Sequence, residues 1–195
     1  NFDNNQKING INFESAFSNS VVVYLHDFID SPGIYGSNLF NDQYDWLNRI
    51  YKIWVREGSG NLIFKLHPNF SSINKDIING IIKTGDFEKV IWTSDDFTIS
   101  DLKNFGCNAV LTMFGSVIFE ATFFSIPVIS CANYPGRGYN LSNECNTVGE
   151  FDALLIDAFK GRLVVTADPQ CASKISLALK KHGYIYSLYS GPYDD

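Results

Sequence analysis

Residues Leu111 to Ser130, LTMFGSVIFEATFFSIPVIS, admit few folds. The run reads as the end of a buried strand, a tight turn at Gly115-Ser116, a short apolar helix carrying one acid, Glu120, and a second buried strand from Pro127 to Cys131. Gly115 permits a sharp bend, and Ser116 is expected to cap the helix while leaving its first N–H groups open. Open amides and the positive end of the helix dipole point the same way, which favours an anion. Glu120 lies one turn below Ser116, so the two share a helix face. A phosphate at the amides and a sugar hydroxyl at the acid suit that layout.

The same alternation runs through the rest of the chain. Val21 to Phe28 (VVVYLHDF) is a first strand, β-branched and apolar enough to be buried on both faces. A Gly/Pro loop, DSPGIYGS, follows. Asp42 then opens a helical run with Trp46, Ile50, Ile53 and Trp54 at helical spacing and Gly58 as its stop. Further strands are expected at Asn61–Leu66, Val90–Thr93 and Asn108–Thr112, with helices at Ile73–Thr84 and Thr98–Asn104. Thr98 or Ser100 would cap the latter. Asn133 to Thr147 reads as a polar loop, and Phe151–Phe159 and Ala172–Lys181 as closing helices. Strand and helix alternating in this way predict an α/β, Rossmann-like three-layer domain with a parallel sheet of about five strands. Residues 1–20 read as a linker or N-terminal extension with a short helix near Phe13–Ser18, and 21–195 as a single domain.

Composition narrows the function. The formal charge of −6 and the lack of any basic run argue against binding nucleic acid through its phosphates. The four cysteines, Cys107, Cys131, Cys145 and Cys171, form no CxxC pair, so their spacing offers neither a zinc site nor a redox motif. Cys107 and Cys131 lie in apolar runs as buried thiols, and a reducing cytoplasm is the expected compartment. No stretch is long and apolar enough to span a bilayer. The polar start without Met is the start expected of a piece of a longer protein.

In open parallel sheets, ligands bind beyond the carboxyl ends of the strands, where strand order reverses. The first strand brings His26, Asp27 and Asp30 to that edge. The second brings Lys65 and His67-Pro68-Asn69, the fourth Thr112, Gly115 and Ser116, and the fifth Asn133, Tyr134, Arg137 and Tyr139. His67 can donate a ring N–H to a phosphate, oriented by the fixed backbone of Pro68, or simply end a strand. His26 and Asp30 form a candidate acid/base pair, or hydrogen-bond the loop between them. Arg137, between glycines, can reach a diphosphate or sugar carboxylate, or stay solvated. Asp95-Asp96 favours a helix start over a metal. Walker, G-x-G-x-x-G and G-x-S-x-G motifs are absent, which removes the usual support for nucleotide triphosphatase, dinucleotide oxidoreductase and serine hydrolase activities.

YLHDFIDSPGIYG, FNDQYDWL, LIFKLHPN and LTMFGSVIFEATFFSIPVIS, in this order, resemble the carboxyl-terminal, nucleotide-sugar-binding half of bacterial GT-B-type glycosyltransferases of capsule and surface polysaccharide synthesis. Sialyltransferases and glycerophosphotransferases of the HP-motif kind are more distant likenesses. The resemblance covers roughly residues 21 to 135. It implies one half of a GT-B fold, a nucleotide sugar as substrate with no cofactor and no metal, and a glycan acceptor. His67 would contact the donor's phosphate or nucleotide, Gly115-Ser116 would hold phosphate, and Glu120 would approach the ribose. By position and residue type, His26 and Asp30 are the catalytic candidates, Pro68 accompanies His67 in the binding set, and Arg137 joins it on position alone. The acceptor domain would be a missing N-terminal half of the same protein, and any peripheral membrane association would come through that full-length protein. A nucleotide-sugar epimerase of the same architecture and a non-catalytic flavodoxin-like module remain alternatives.

Overall fold

The computed structural model describes residues 13–28, 39–67, 71–93, 97–134 and 136–182. Its strands are β1 (Val21–Tyr24), β2 (Leu62–Lys65), β3 (Ile91–Thr93), β4 (Ala109–Thr112), β5 (Val128–Ser130) and β6 (Asn143–Glu144). Its helices are α1 (Phe13–Phe17), α2 (Gln43–Glu57), α3 (Ser72–Thr84), α4 (Ile99–Asn104), α5 (Val117–Phe123), α6 (Val148–Phe159) and α7 (Pro169–His182). Among the described residues the strands form one six-stranded sheet in the order β3-β2-β1-β4-β5-β6, with every neighbouring pair parallel. The fold is α/β and Rossmann-like.

Alternate strand residues explain why the strands are apolar throughout. Val21, Val23, Leu62, Phe64 and Leu111 face a core shared with α2, α3 and α6, while Val22, Ile63, Val110 and Val128 face one shared with α1, α4, α5 and α7. Each fully buried Leu, Ile or Phe contributes about 1.5–3 kcal/mol through removal from water. The 42–58 helix has the ends its sequence suggests: Asp42 Oδ1 accepts the Asp45 N–H at 2.7 Å, and Gly58 ends it. Its apolar stripe, Trp46, Leu47, Ile50 and Ile53, is buried. Arg49 binds Asp152 of α6 through two guanidinium nitrogens, Nε and Nη2, the Nε bond being 2.8 Å. In α4 it is Thr98 that caps, in a complete capping box with Asp101.

The polar loop expected from Asn133 to Thr147 is corrected in one place, because Asn143–Glu144 pairs in parallel with Ile129–Ser130 as β6. Neither residue is a good strand former. The strand is held from the side, Asn143 Nδ2 donating to the carbonyls of Val128 (3.1 Å) and Val164 (3.2 Å). The boundary drawn at residue 20 falls just after α1, whose Ala16 and Phe17 side chains are fully buried. Gly60 explains part of that closeness, since a Cβ there would lie 1.8 Å from the Asn19 carbonyl oxygen. Among the described residues no helix is long and apolar enough to cross a membrane.

Candidate functional site

Strand order reverses between β1 and β4, so the loops after these two strands flank the crevice where ligands of such sheets bind. Register predicts what meets there. Val23 pairs with both Phe64 and Leu111, and the β1–β2 pairing continues as the Leu25 N–H donates to the Lys65 carbonyl at 3.0 Å. Continued three places past Val23, that register sets His26 between His67 and Phe114. The contacts bear it out on the Phe114 side, where the two rings stack at 4.2 Å with 26° between their planes. His67 is exposed. It is also close enough for its charge to disfavour protonation of His26.

His26 is half-buried and held on two sides. Its Nε2 is 2.8 Å from Thr112 Oγ1, and the Thr112 hydroxyl donates to the Phe114 carbonyl at 2.7 Å. Burial pulls the imidazole down to about 4, His67 pushes in the same direction, and the Phe114 carbonyl offsets part of the shift. The ring is therefore neutral at physiological pH. Gly115 adopts φ +119, and a Cβ on it would stand 3.5 Å from His26 Cε1, so the turn lies directly along the edge of the imidazole. Two residues beyond His26, the Phe28 N–H donates to Asn74 Oδ1 at 2.7 Å, fixing the end of this segment to α3.

Ser116 does not cap α5. Its backbone is already helical at φ −62, ψ −26, and its hydroxyl makes no capping bond. The bend at Gly115 brings the chain into the helix one residue early. The Ile118 N–H then bonds the Gly115 carbonyl, and the Phe119 and Glu120 amides bond the Ser116 carbonyl. The open first-turn amides expected from the sequence are thus largely taken, and what the turn can present narrows to Gly115, Ser116 and Val117. A helix of 7 residues also has only a small dipole. Ser116 and Glu120 are both exposed and share a helix face as expected. Glu120 is near enough to Tyr24 to raise its phenol, after burial and Cys107.

Other candidates sit differently. Lys65 lies with Nζ 4.0 Å from the centre of the Phe97 ring, an ammonium on an aromatic face at the α4 side of the sheet. Arg137 is engaged within its own loop, donating to the Cys145 carbonyl (3.2 Å) and to Asn146 Oδ1 (2.7 Å) and pairing with Glu144 at 3.8 Å. Tyr134 is buried with its hydroxyl on Ser142, while Tyr139 and Asn133 are exposed. Asp30, Pro68, Asn69 and the Asp95-Asp96 pair lie outside the described residues. No group of three or more His, Cys, Asp or Glu among the described residues is placed to hold a metal. The cysteines are free thiols; burial raises Cys107 to about 11 and Cys145 to about 12, so neither ionises at neutral pH.

Sequence reasoning missed Phe114 and Asn74. Phe114 carries a signal in hindsight, since it extends β4 to the row of His26, but a register is needed to see it. Gln43 Nε2 and Trp46 Nε1, in the first turn of α2, are buried donors without an acceptor among the described residues.

The fold and this edge define a Rossmann-like domain. No protein-family model matches the sequence, and no curated protein resembles it in sequence. Among solved structures, UDP-GlcNAc 2-epimerase of Methanocaldococcus jannaschii, in complex with UDP-GlcNAc and UDP, matches with a TM-score of 0.51 at 15% identity, over 86% of this chain and 47% of that one. KpsC of Thermosulfurimonas dismutans, a β-Kdo 2,7-transferase, matches at 0.45 and 15% identity, over 83% of this chain and 55% of that one. MnaA of S. aureus, in a co-structure with UDP, matches at 0.43 and 15% identity, over 93% and 50%. The chain thus spans about half the length of these structures. At such identities the likeness is one of fold.

Proposed function

We propose that this is the donor-binding domain of a glycosyltransferase, taking a nucleotide-activated sugar and passing the sugar to a surface polysaccharide acceptor. The observation that carries the reading is the meeting of His26, the Thr112–Gly115 turn and, in register, His67 at the strand-order reversal. In this reading exposed His67 and the turn at Gly115-Ser116 hold the donor's phosphates, neutralising charge that develops on the leaving nucleotide. Glu120, one turn along the same face, takes a ribose hydroxyl. His26 is neutral and recognises a hydroxyl of sugar or acceptor. Asp30, Pro68 and Arg137 are retained as neighbours of that ligand, Arg137 through the loop it holds. The acceptor site belongs to a further domain, so the chain alone binds the donor and transfers little.

Calorimetric titration with CMP, CDP, UDP and GDP tests the reading. One nucleotide should bind, and His67→Ala and Glu120→Ala should each weaken it about tenfold or more, the size of a lost charge-assisted contact. Unchanged affinity in His67→Ala would remove His67 from the site.

A second reading, nucleotide-sugar epimerase, is favoured by the fold match to the M. jannaschii enzyme. Incubation of a nucleotide sugar without acceptor separates the two, since only an epimerase changes the sugar's configuration.

A further inference from the structure

The Thr112 hydroxyl has one proton, and it is already given to the Phe114 carbonyl at 2.7 Å. Toward His26 Nε2, 2.8 Å away, that oxygen can therefore only accept. An imidazole facing an acceptor must present an N–H. In the neutral ring the other nitrogen, Nδ1, then carries the lone pair.

We infer that Thr112 is a positioning residue that fixes His26 in its Nε2–H tautomer, so that Nδ1 meets the ligand as a hydrogen-bond acceptor for a sugar hydroxyl. The inference deepens the donor-binding reading and rests on it for the identity of the ligand, while the tautomer rests on the contacts of Thr112 with His26 and the Phe114 carbonyl. Two further contacts make the arrangement rigid. The Phe114 ring stacks on the imidazole at 4.2 Å, which holds the plane of the ring, and the Thr112 contact then selects which nitrogen lies against β4. Gly115 leaves room along the Cε1 edge, the edge shared by both nitrogens. Thr112 is itself fully buried, which keeps water from competing for its oxygen.

The division of work between the two histidines follows. His67 is exposed and suits phosphate, which wants a donor. His26 offers phosphate only a lone pair and repels it. A hydroxyl, which has a proton to give, is what Nδ1 selects.

The test is nitrogen-15 NMR of the chain labelled at histidine, with His67→Gln and His182→Gln used to assign the three residues. In the unaltered chain His26 should show a protonated Nε2 and an unprotonated Nδ1. Thr112→Val should abolish the fixed pattern, and Thr112→Ser, which keeps the hydroxyl, should restore it. An Nδ1–H tautomer in the unaltered chain, or an unchanged pattern in Thr112→Val, overturns the inference. Affinity for whichever of the four nucleotides binds, measured as its UDP-, CDP-, GDP- or CMP-sugar, should fall severalfold to about tenfold in Thr112→Val and not in Thr112→Ser. Retained affinity in Thr112→Val overturns the ligand role. If nothing binds the unaltered chain, the donor-binding reading fails, and with it the ligand role, while the NMR result still decides the tautomer.

Discussion

Asn74, fully buried at the start of α3, accepts the backbone N–H of Phe28 at 2.7 Å across 46 residues of chain. Its Nδ2 in turn donates to Ser71 Oγ at 2.9 Å, the residue that caps the same helix. One amide thus joins the segment after β1 to the start of α3. Asn74→Ala leaves the Phe28 N–H buried without an acceptor and should cost about 1–3 kcal/mol in chemical denaturation. Asn74→Asp keeps the oxygen and should cost less. Because His26 is two residues from the anchor, nucleotide binding should weaken along with stability in the Ala variant.

Acid should destabilise the fold through His26. Unfolded, the imidazole titrates near 6.5; folded, burial and His67 bring it to about 4. Above 6.5 both states are neutral and pH has no effect through this group. Below 6.5 the unfolded chain takes up a proton that the folded one refuses, so stability falls until about pH 4, where both are charged. Urea midpoints followed across this window should drop less steeply in His26→Asn than in the unaltered chain. Parallel slopes would mean that the ring is not held neutral.

Gly115→Ala separates backbone strain from crowding. The new Cβ would meet His26 Cε1 at 3.5 Å, an ordinary contact, but φ +119 is a conformation that alanine avoids. A loss of about 1–3 kcal/mol is expected from the backbone alone. If the turn relaxes to relieve it, the stacked Phe114 moves too, and a change in the His26 NMR signals would report that.

Arg137→Ala should act on the loop before it acts on a ligand. The guanidinium joins Cys145, Asn146 and Glu144, and Glu144 also accepts the Gly138 N–H at 2.9 Å. Faster proteolysis within residues 136–146 is expected, with nucleotide affinity falling only as far as the loop is disturbed. A large affinity loss with an unchanged cleavage pattern would instead assign the residue a direct contact.

What could be read from the sequence was what local pattern dictates. Strands buried on both faces are apolar without interruption, as in VVVY and AVLT, and the 42–58 helix carries both its cap and its stop. These signals lie within a few residues of one another. The Thr112–His26 contact spans 86 residues and appears only when β1 and β4 are set side by side. Ser116 misled for a related reason: a serine before an apolar run is a good cap by composition, but the backbone bend at Gly115 had already carried it into the helix. β6 escaped notice because its two residues, Asn143 and Glu144, owe their conformation to neighbours and not to their own preferences.

The same short strand bears on how the molecule behaves among copies of itself. Among the described residues the sheet ends on β3, with 3 residues, and on β6, with 2. An edge recruits another chain by offering an uninterrupted ladder of backbone donors and acceptors, and neither edge offers more than a rung or two. The long apolar strands β1, β2 and β4, which would make a dangerous template, are kept in the middle of the sheet. Among the described residues, a neighbouring copy would therefore find side chains to bind, and the sheet itself is closed to trade.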